Sequence, residues 1–171
     1  MLASRDASLL WLIPALVAVH NLEEALTFRR ALPAVRERAP AFARAIVERV
    51  TYPQLLAALA LATLVPLAVV LWAQARPGSR AALWAALTLQ AVMALNAVSH
   101  AAASLFVMRG YSPGVATALL LNLPFSIYLF RRAARERWLG RRALLATLPA
   151  ALVVHGPGLA ALILLAGSLA R

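Results

Sequence analysis

The chain has 171 residues, of which 63% are hydrophobic and 13% charged, well above the about 45–50% apolar share of soluble domains, so an integral membrane protein is expected and a soluble core is excluded. The absence of cysteine excludes disulfides, thiolate metal ligands and cysteine nucleophiles. The net charge of +11 comes from 17 basic residues, all arginine; they fall between apolar segments, which favours anionic lipid headgroups as partners over nucleic acid.

The first apolar segment, residues 9–28, reads as a membrane span with Ser8 as its cap. A cleaved leader fits poorly, because Asp6 neutralises Arg5 and no small-residue cleavage site precedes the polar cluster that follows. An arginine-rich connector covers residues 29–51. In it Phe42, Ile46 and Val50 recur at spacing four, with Arg44, Glu48 and Arg49 off that stripe, so an amphipathic helix lying on the membrane surface is predicted. A second span, 52–74, is expected to be broken at Pro66 and to end at Arg76-Pro77-Gly78. The third, 81–108, returns antiparallel beside it and ends at Arg109-Gly110-Tyr111-Ser112-Pro113. A fourth span, 113–130, starts on Pro113, whose missing N–H costs nothing in a first helical turn.

A basic connector at 131–137 follows, with Trp138 as an interface anchor. The fifth span, 143–169, contains His155-Gly156-Pro157-Gly158, which predicts a kink or an unwound turn. The sequence therefore predicts one all-α domain over residues 1–171, an integral membrane bundle of five transmembrane helices with an interfacial amphipathic helix after the first span. A prokaryotic cell membrane is the expected location. The arginines divide nine against eight between the two sides, too even a split for the positive-inside rule to orient the chain.

Charged groups at membrane depth cost roughly 3 kcal/mol or more each and persist where function or pairing compensates. His20, Glu23 and Glu24 are such groups. At about 100° per residue they point into one sector of the first span, and His20 lies ~12 Å from its end. His100 lies at the same ~12 Å from the end of the third span, which approaches the same face, with Asn96 one turn behind it. Thr117 sits ~8 Å into the fourth span and Tyr111 lies at the rim. Three helices thus bring these polar residues to one depth. His155, counted from Leu169, falls near mid-membrane, ~20 Å from that face, where bonding to a carbonyl freed by the kink is the simpler role. Asn122 reads as packing glue between helices.

Three motifs run through this set in order. His20-Asn21-Leu22-Glu23-Glu24 fits HxxEE, Asn96-Ala97-Val98-Ser99-His100 fits NxxxH, and Tyr111-Ser112-Pro113-Gly114-Val115-Ala116-Thr117 fits YxPGxxT. Over about residues 8–130 the chain resembles the HXXEE-domain membrane proteins, a resemblance that implies a multi-spanning protein suspected of enzymatic activity.

Two chemistries fit the residues. In the first, His20, one of Glu23 and Glu24, with Glu24 taken as the ligand, and His100 bind one divalent metal, zinc or iron; two imidazoles and a carboxylate leave positions open for water or oxygen. The remaining glutamate of the pair then serves as base, and Asn96, Thr117 and Tyr111 support the site. In the second no metal is bound, and the adjacent acids Glu23 and Glu24 share a proton, supplying an acid and a base for an isomerisation. A hydrophobic or lipid substrate entering from the bilayer suits both. A small proton- or cation-coupled transporter using the glutamates is the alternative from another class, against which the lack of an internal repeat counts.

Overall fold

A computed structural model describes residues 4–169, which form helices joined by short turns. A short helix, α1 (Ser4–Leu9), leads into α2 (Leu12–Arg38). The chain continues through α3 (Ala41–Arg49), α4 (Tyr52–Ala75) and α5 (Arg80–Ala102), the last extended by a π-helical turn at Ala103–Met108. A one-turn helix, α6 (Val115–Thr117), a π-helical turn (Ala118–Asn122) and α7 (Leu123–Arg135) make one continuous rod over residues 115–135. Another continuous rod combines α8 (Arg141–Val153), a π-helical turn (Val154–Gly158) and α9 (Leu159–Leu169).

Among the described residues four helices, not the expected five, are long and apolar enough to cross a membrane: Asp6–Arg38, Tyr52–Ala75, Arg80–Met108 and Arg141–Ser168. The rod at 115–135 falls short because its apolar part ends at Phe130. From residue 115 that is about 24 Å at 1.5 Å per residue, against a hydrocarbon thickness of about 30 Å. Asn122, Pro124 and Ser126 dilute it further.

Other expected boundaries also shift. The first helix does not stop at Phe28 but runs to Arg38, through Pro33, because residues 29–38 carry no glycine and no cap to stop it. Helix α4 likewise continues through Pro66, which is buried. Pro113 precedes the next helix instead of starting it: Gly114, at φ +82°, is the cap. The His155-Gly156-Pro157-Gly158 segment widens into a π-helical turn while the rod continues. The amphipathic connector helix is present as α3 and Val50 is buried beside it, while the side chains of Phe42 and Ile46 lie outside the described residues.

Local chemistry explains several of these starts and stops. Thr51 and Gln54 form a reciprocal capping box at the head of α4, each side chain bonded to the other's backbone. Ser79 accepts from the Ala82 N–H to cap α5.

The elements alternate in direction. At one end Asp6 pairs with Arg132 at 2.5 Å, Gln74 donates to the Ala7 carbonyl, and the Trp84 indole donates to the Ala143 carbonyl. At the other end Arg38 donates to the Met108 carbonyl at 2.5 Å and Gln54 to the Ile163 carbonyl at 3.0 Å. The tightest apolar core, Leu10, Ile13, Val70, Leu87 and Leu129 among others, gathers toward the first end. Trp138 belongs to this core at 9% exposure. The polar residues meet in the opposite half of the bundle.

Candidate metal and acid–base site

His20 is almost fully buried, at 1% exposure. Its Nδ1 lies 3.0 Å from Thr117 Oγ1 and its Nε2 2.7 Å from Asn96 Nδ2. Thr117 Oγ1 also donates to the Gly114 carbonyl at 3.3 Å. One neutral tautomer satisfies all three contacts: Nδ1–H donates to Thr117 and Nε2 accepts from Asn96. The HxxEE, NxxxH and YxPGxxT motifs therefore converge on a single imidazole.

Glu24, one turn along α2, faces the same space. Its Oε1 lies 3.4 Å from His100 Nε2 and its Oε2 3.9 Å from His20 Nε2. The two imidazole rings meet edge to face with centroids 4.9 Å apart. One ligand atom from each of His20, Glu24 and His100 falls within a set spaced no more than 4.8 Å apart.

Glu23 points elsewhere. Its Oε1 accepts from the Ala116 N–H at 3.1 Å and from the Tyr111 hydroxyl, and its Oε2 accepts from the Thr117 N–H at 2.7 Å. A carboxylate on the first free N–H groups of a helix completes hydrogen bonds the helix cannot make itself and meets the positive end of its dipole. Glu23 thus caps the 115–135 rod from a neighbouring helix. The expected shared sector was too coarse to separate two adjacent glutamates: one turns toward His100, the other toward the rod's N-terminus. Neither carboxylate is paired with Arg29 or Arg30; the Arg29 guanidinium stands 6.0 Å from the centre of the Tyr52 ring.

Gly114 closes the cluster. A Cβ on it would lie 2.8 Å from both His20 Cε1 and Glu24 Cγ, and 3.0 Å from His100 Cε1. Only a residue without a side chain fits there, and its positive φ independently favours glycine. The sequence offered Gly114 only as the glycine of the YxPGxxT motif; nothing in spacing alone marked it as the floor of the site.

His155 is nearer the site than its expected depth. Its Nε2 lies 3.1 Å from Ser99 Oγ, next to His100 in sequence. The depth count from Leu169 was misleading because Gln54, at the head of α4, meets Ile163, so α9 continues past the level where its neighbour begins. Counted back from Ile163, His155 is as far along its rod as His100 is from Met108. Asn122 stays outside the cluster. It is fully buried, both polar side-chain atoms lack a hydrogen-bond partner, and its carbonyl accepts from Ser126, which is bonded to Gln90. Two further residues escaped sequence reasoning. Asn21 donates to the Leu59 carbonyl and to Thr63 Oγ1, tying α2 to α4, and Ser99 joins His155 to α5.

A groove of about 580 Å³ opens beside the cluster, reaching Glu24, His100, Asn96 and His155. Through it the Glu24 carboxylate and the His100 imidazole can be reached from outside the bundle.

A family model described as "Protein of unknown function with HXXEE motif" covers residues 11–129, which hold every residue of the cluster and Glu23. No curated protein and no solved structure matches the chain.

Proposed function

This chain belongs to the family of proteins of unknown function with the HXXEE motif, and we propose that it is a membrane-embedded enzyme. In this reading His20, Glu24 and His100 hold one divalent metal and a hydrophobic or lipid substrate reaches them from the bilayer. The observation that carries the reading is the convergence of the three donors within 4.8 Å around a glycine that leaves them room. Two imidazoles and one carboxylate are the donor set of open, catalytic zinc and non-haem iron sites.

The surroundings support it as well. Metal-bound histidines commonly give their second nitrogen to a hydrogen-bond partner that sets the ring's orientation, and Thr117 stands at Nδ1 of His20 in that way. Asn96 must release the lone pair of Nε2 for a metal to take it, after which its amide is available to a bound substrate or water. A metal in this site would polarise a substrate carbonyl or lower the pKa of a bound water. Glu24 then serves as ligand, and Glu23, with both oxygens engaged, holds the 115–135 rod against the cluster instead of acting as base. At the opposite end, the exposed Arg131 and Arg135 flank a recess with Tyr128 and would take anionic headgroups.

One observation favours a second reading. Both nitrogens of His20 are satisfied by protein groups alone, and Glu24 and His100 stand at 3.4 Å as a carboxyl–imidazole pair, which suits a metal-free proton shift. Elemental analysis of the full chain, purified in detergent without added metal, decides between them. About one equivalent of zinc or iron in the wild type, lost in His100→Ala and Glu24→Gln, is the expected result for a single three-donor site with an open position. A folded wild type that carries neither metal, and takes up neither when offered, overturns the metal reading.

A further inference from the structure

A second cavity, of about 260 Å³, lies inside the bundle among α2, α4, α5 and the π-helical turn before α9. Its walls are apolar, with Val17, Leu59, Ala62, Val92, Met93 and Leu162 among them. The polar exceptions are Asn21, Asn96 and His155. Asn21 is committed to α4 by two hydrogen bonds. Asn96 and His155 also line the groove that holds Glu24 and His100, so the two cavities adjoin across this pair.

The chamber has a mouth on the outer surface. Val65, Val154 and Leu159 line it and are about 40–47% exposed, on helices long and apolar enough to cross a membrane. The π-helical turn at Val154–Gly158 widens the rod at this level, and turns of this kind recur at functional sites.

From this arrangement we infer that the chamber is a tail site: it takes a single hydrocarbon chain of an amphiphile whose polar group lies in the groove at Glu24 and His100. The inference rests on the lipid-substrate reading above and gives that substrate its shape, one polar end beside one unbranched apolar arm. The polarity of the two spaces argues for it. An apolar lining offers nothing to a polar ligand, whereas a chain that moves from surrounding hydrocarbon into an apolar chamber leaves no polar group unsatisfied. Size agrees too. At roughly 30 Å³ for a water-sized group, the chamber holds a segment of about eight or nine such groups, a chain end and not a sterol or a paired-chain lipid body. Asn96 stands where the head and tail spaces meet, with its amide 2.7 Å from His20 Nε2, placed to bond the first polar atom of the ligand.

The test is photolabelling of the full chain in detergent with a fatty alcohol carrying a terminal diazirine, followed by peptide mapping. Label is expected in the peptides covering residues 59–66, 89–93 and 154–162, and an excess of unlabelled alcohol removes it. Ala62→Phe and Val92→Phe, which each put a ring into the chamber, lower this labelling by about tenfold, the effect of forcing a bulky group into a space a ligand must share. Leu120→Phe, on a residue 73% exposed, leaves it unchanged. The same labelling persists in Glu24→Gln, so absence of a metal does not count against the tail site. Label spread evenly over exposed residues such as Phe106, Leu120 and Leu164, or chamber label that survives both phenylalanine substitutions in folded protein, overturns the inference.

Discussion

Glu23 and Glu24 are neighbours with the same side chain, and the bundle gives them different work. Glu23 accepts two backbone N–H groups and a phenol; Glu24 faces two imidazoles. Conservative substitution separates them. Glu23→Gln replaces charge-assisted hydrogen bonds at a helix N-terminus by neutral ones and is expected to destabilise by about 1–3 kcal/mol, read as a fall in Tm, while metal content is retained. Glu24→Gln is expected to abolish metal uptake with little change in Tm. The reverse pattern would transfer the ligand role to Glu23. Gly114→Ala makes a third case: the left-handed backbone alone costs about 1–2 kcal/mol in an alanine, and the new Cβ would press on His20, Glu24 and His100 together. Both stability and metal content should fall, whereas Gly78→Ala, where a Cβ meets nothing within 4 Å, should change neither. At this scale the histidines, Asn96 and Thr117 were legible because a polar residue in an apolar helix is conspicuous. The division between the glutamates was not, since it depends on where the N-terminus of another helix arrives.

Between α5 and the 115–135 rod the chain turns through Arg109, which takes a left-handed φ of 51°, and Gly114. Tyr111 holds this turn to α2 through Glu23. The phenol's pKa is raised, first by burial and then by the hydrogen bond to the Glu23 carboxylate, so the folded chain favours the neutral form. The contribution is therefore complete below the unfolded value of about 10 and is lost as pH rises through the higher folded value. The Tm difference between wild type and Tyr111→Phe should accordingly be constant across neutral pH and vanish in strong alkali; a difference that vanishes in acid instead would place the dependence on another group. Helix boundaries were the least legible part at this scale. The first helix passes its expected end at Phe28 because no glycine or cap stops it, and α4 passes Pro66 because neighbouring helices can hold the backbone on either side of a proline. The π-helical turns after His100, after Thr117 and around His155 left no trace in the sequence apart from the Gly-Pro-Gly run at 156–158. Each widens a rod beside the site, and His155 in the last of them lies 3.1 Å from Ser99 Oγ.

Taken whole, the molecule gathers its largest apolar core toward one end and its polar cluster toward the other, and the arrangement follows from where polar and large apolar residues fall along each rod. The all-α architecture and the up-and-down order were readable from apolar runs and turn residues; the number of helices able to cross a membrane was not, because the 115–135 rod sits close to the limit of length and hydropathy. Its direction is set by its partners. The turn at Pro77 to Arg80 and the turn at Glu136 to Trp138 share one recess at one end of the bundle, while Arg38 reaches Met108 near Gly110 at the other. The chain must therefore change ends between Gly110 and Gly140, however short the apolar part of the rod. The absence of cysteine makes this directly measurable, since a single introduced thiol is the only one present. Side chains at Gly78 and Gly140 would meet nothing within 4 Å, and one at Gly110 only the Met108 carbonyl at 4.0 Å, so cysteine is sterically tolerated at all three. With an impermeant maleimide added to one face of sealed vesicles, Gly78→Cys and Gly140→Cys should label together and Gly110→Cys only from the opposite face. Labelling of Gly140→Cys in company with Gly110→Cys would show the rod returning to the face it left.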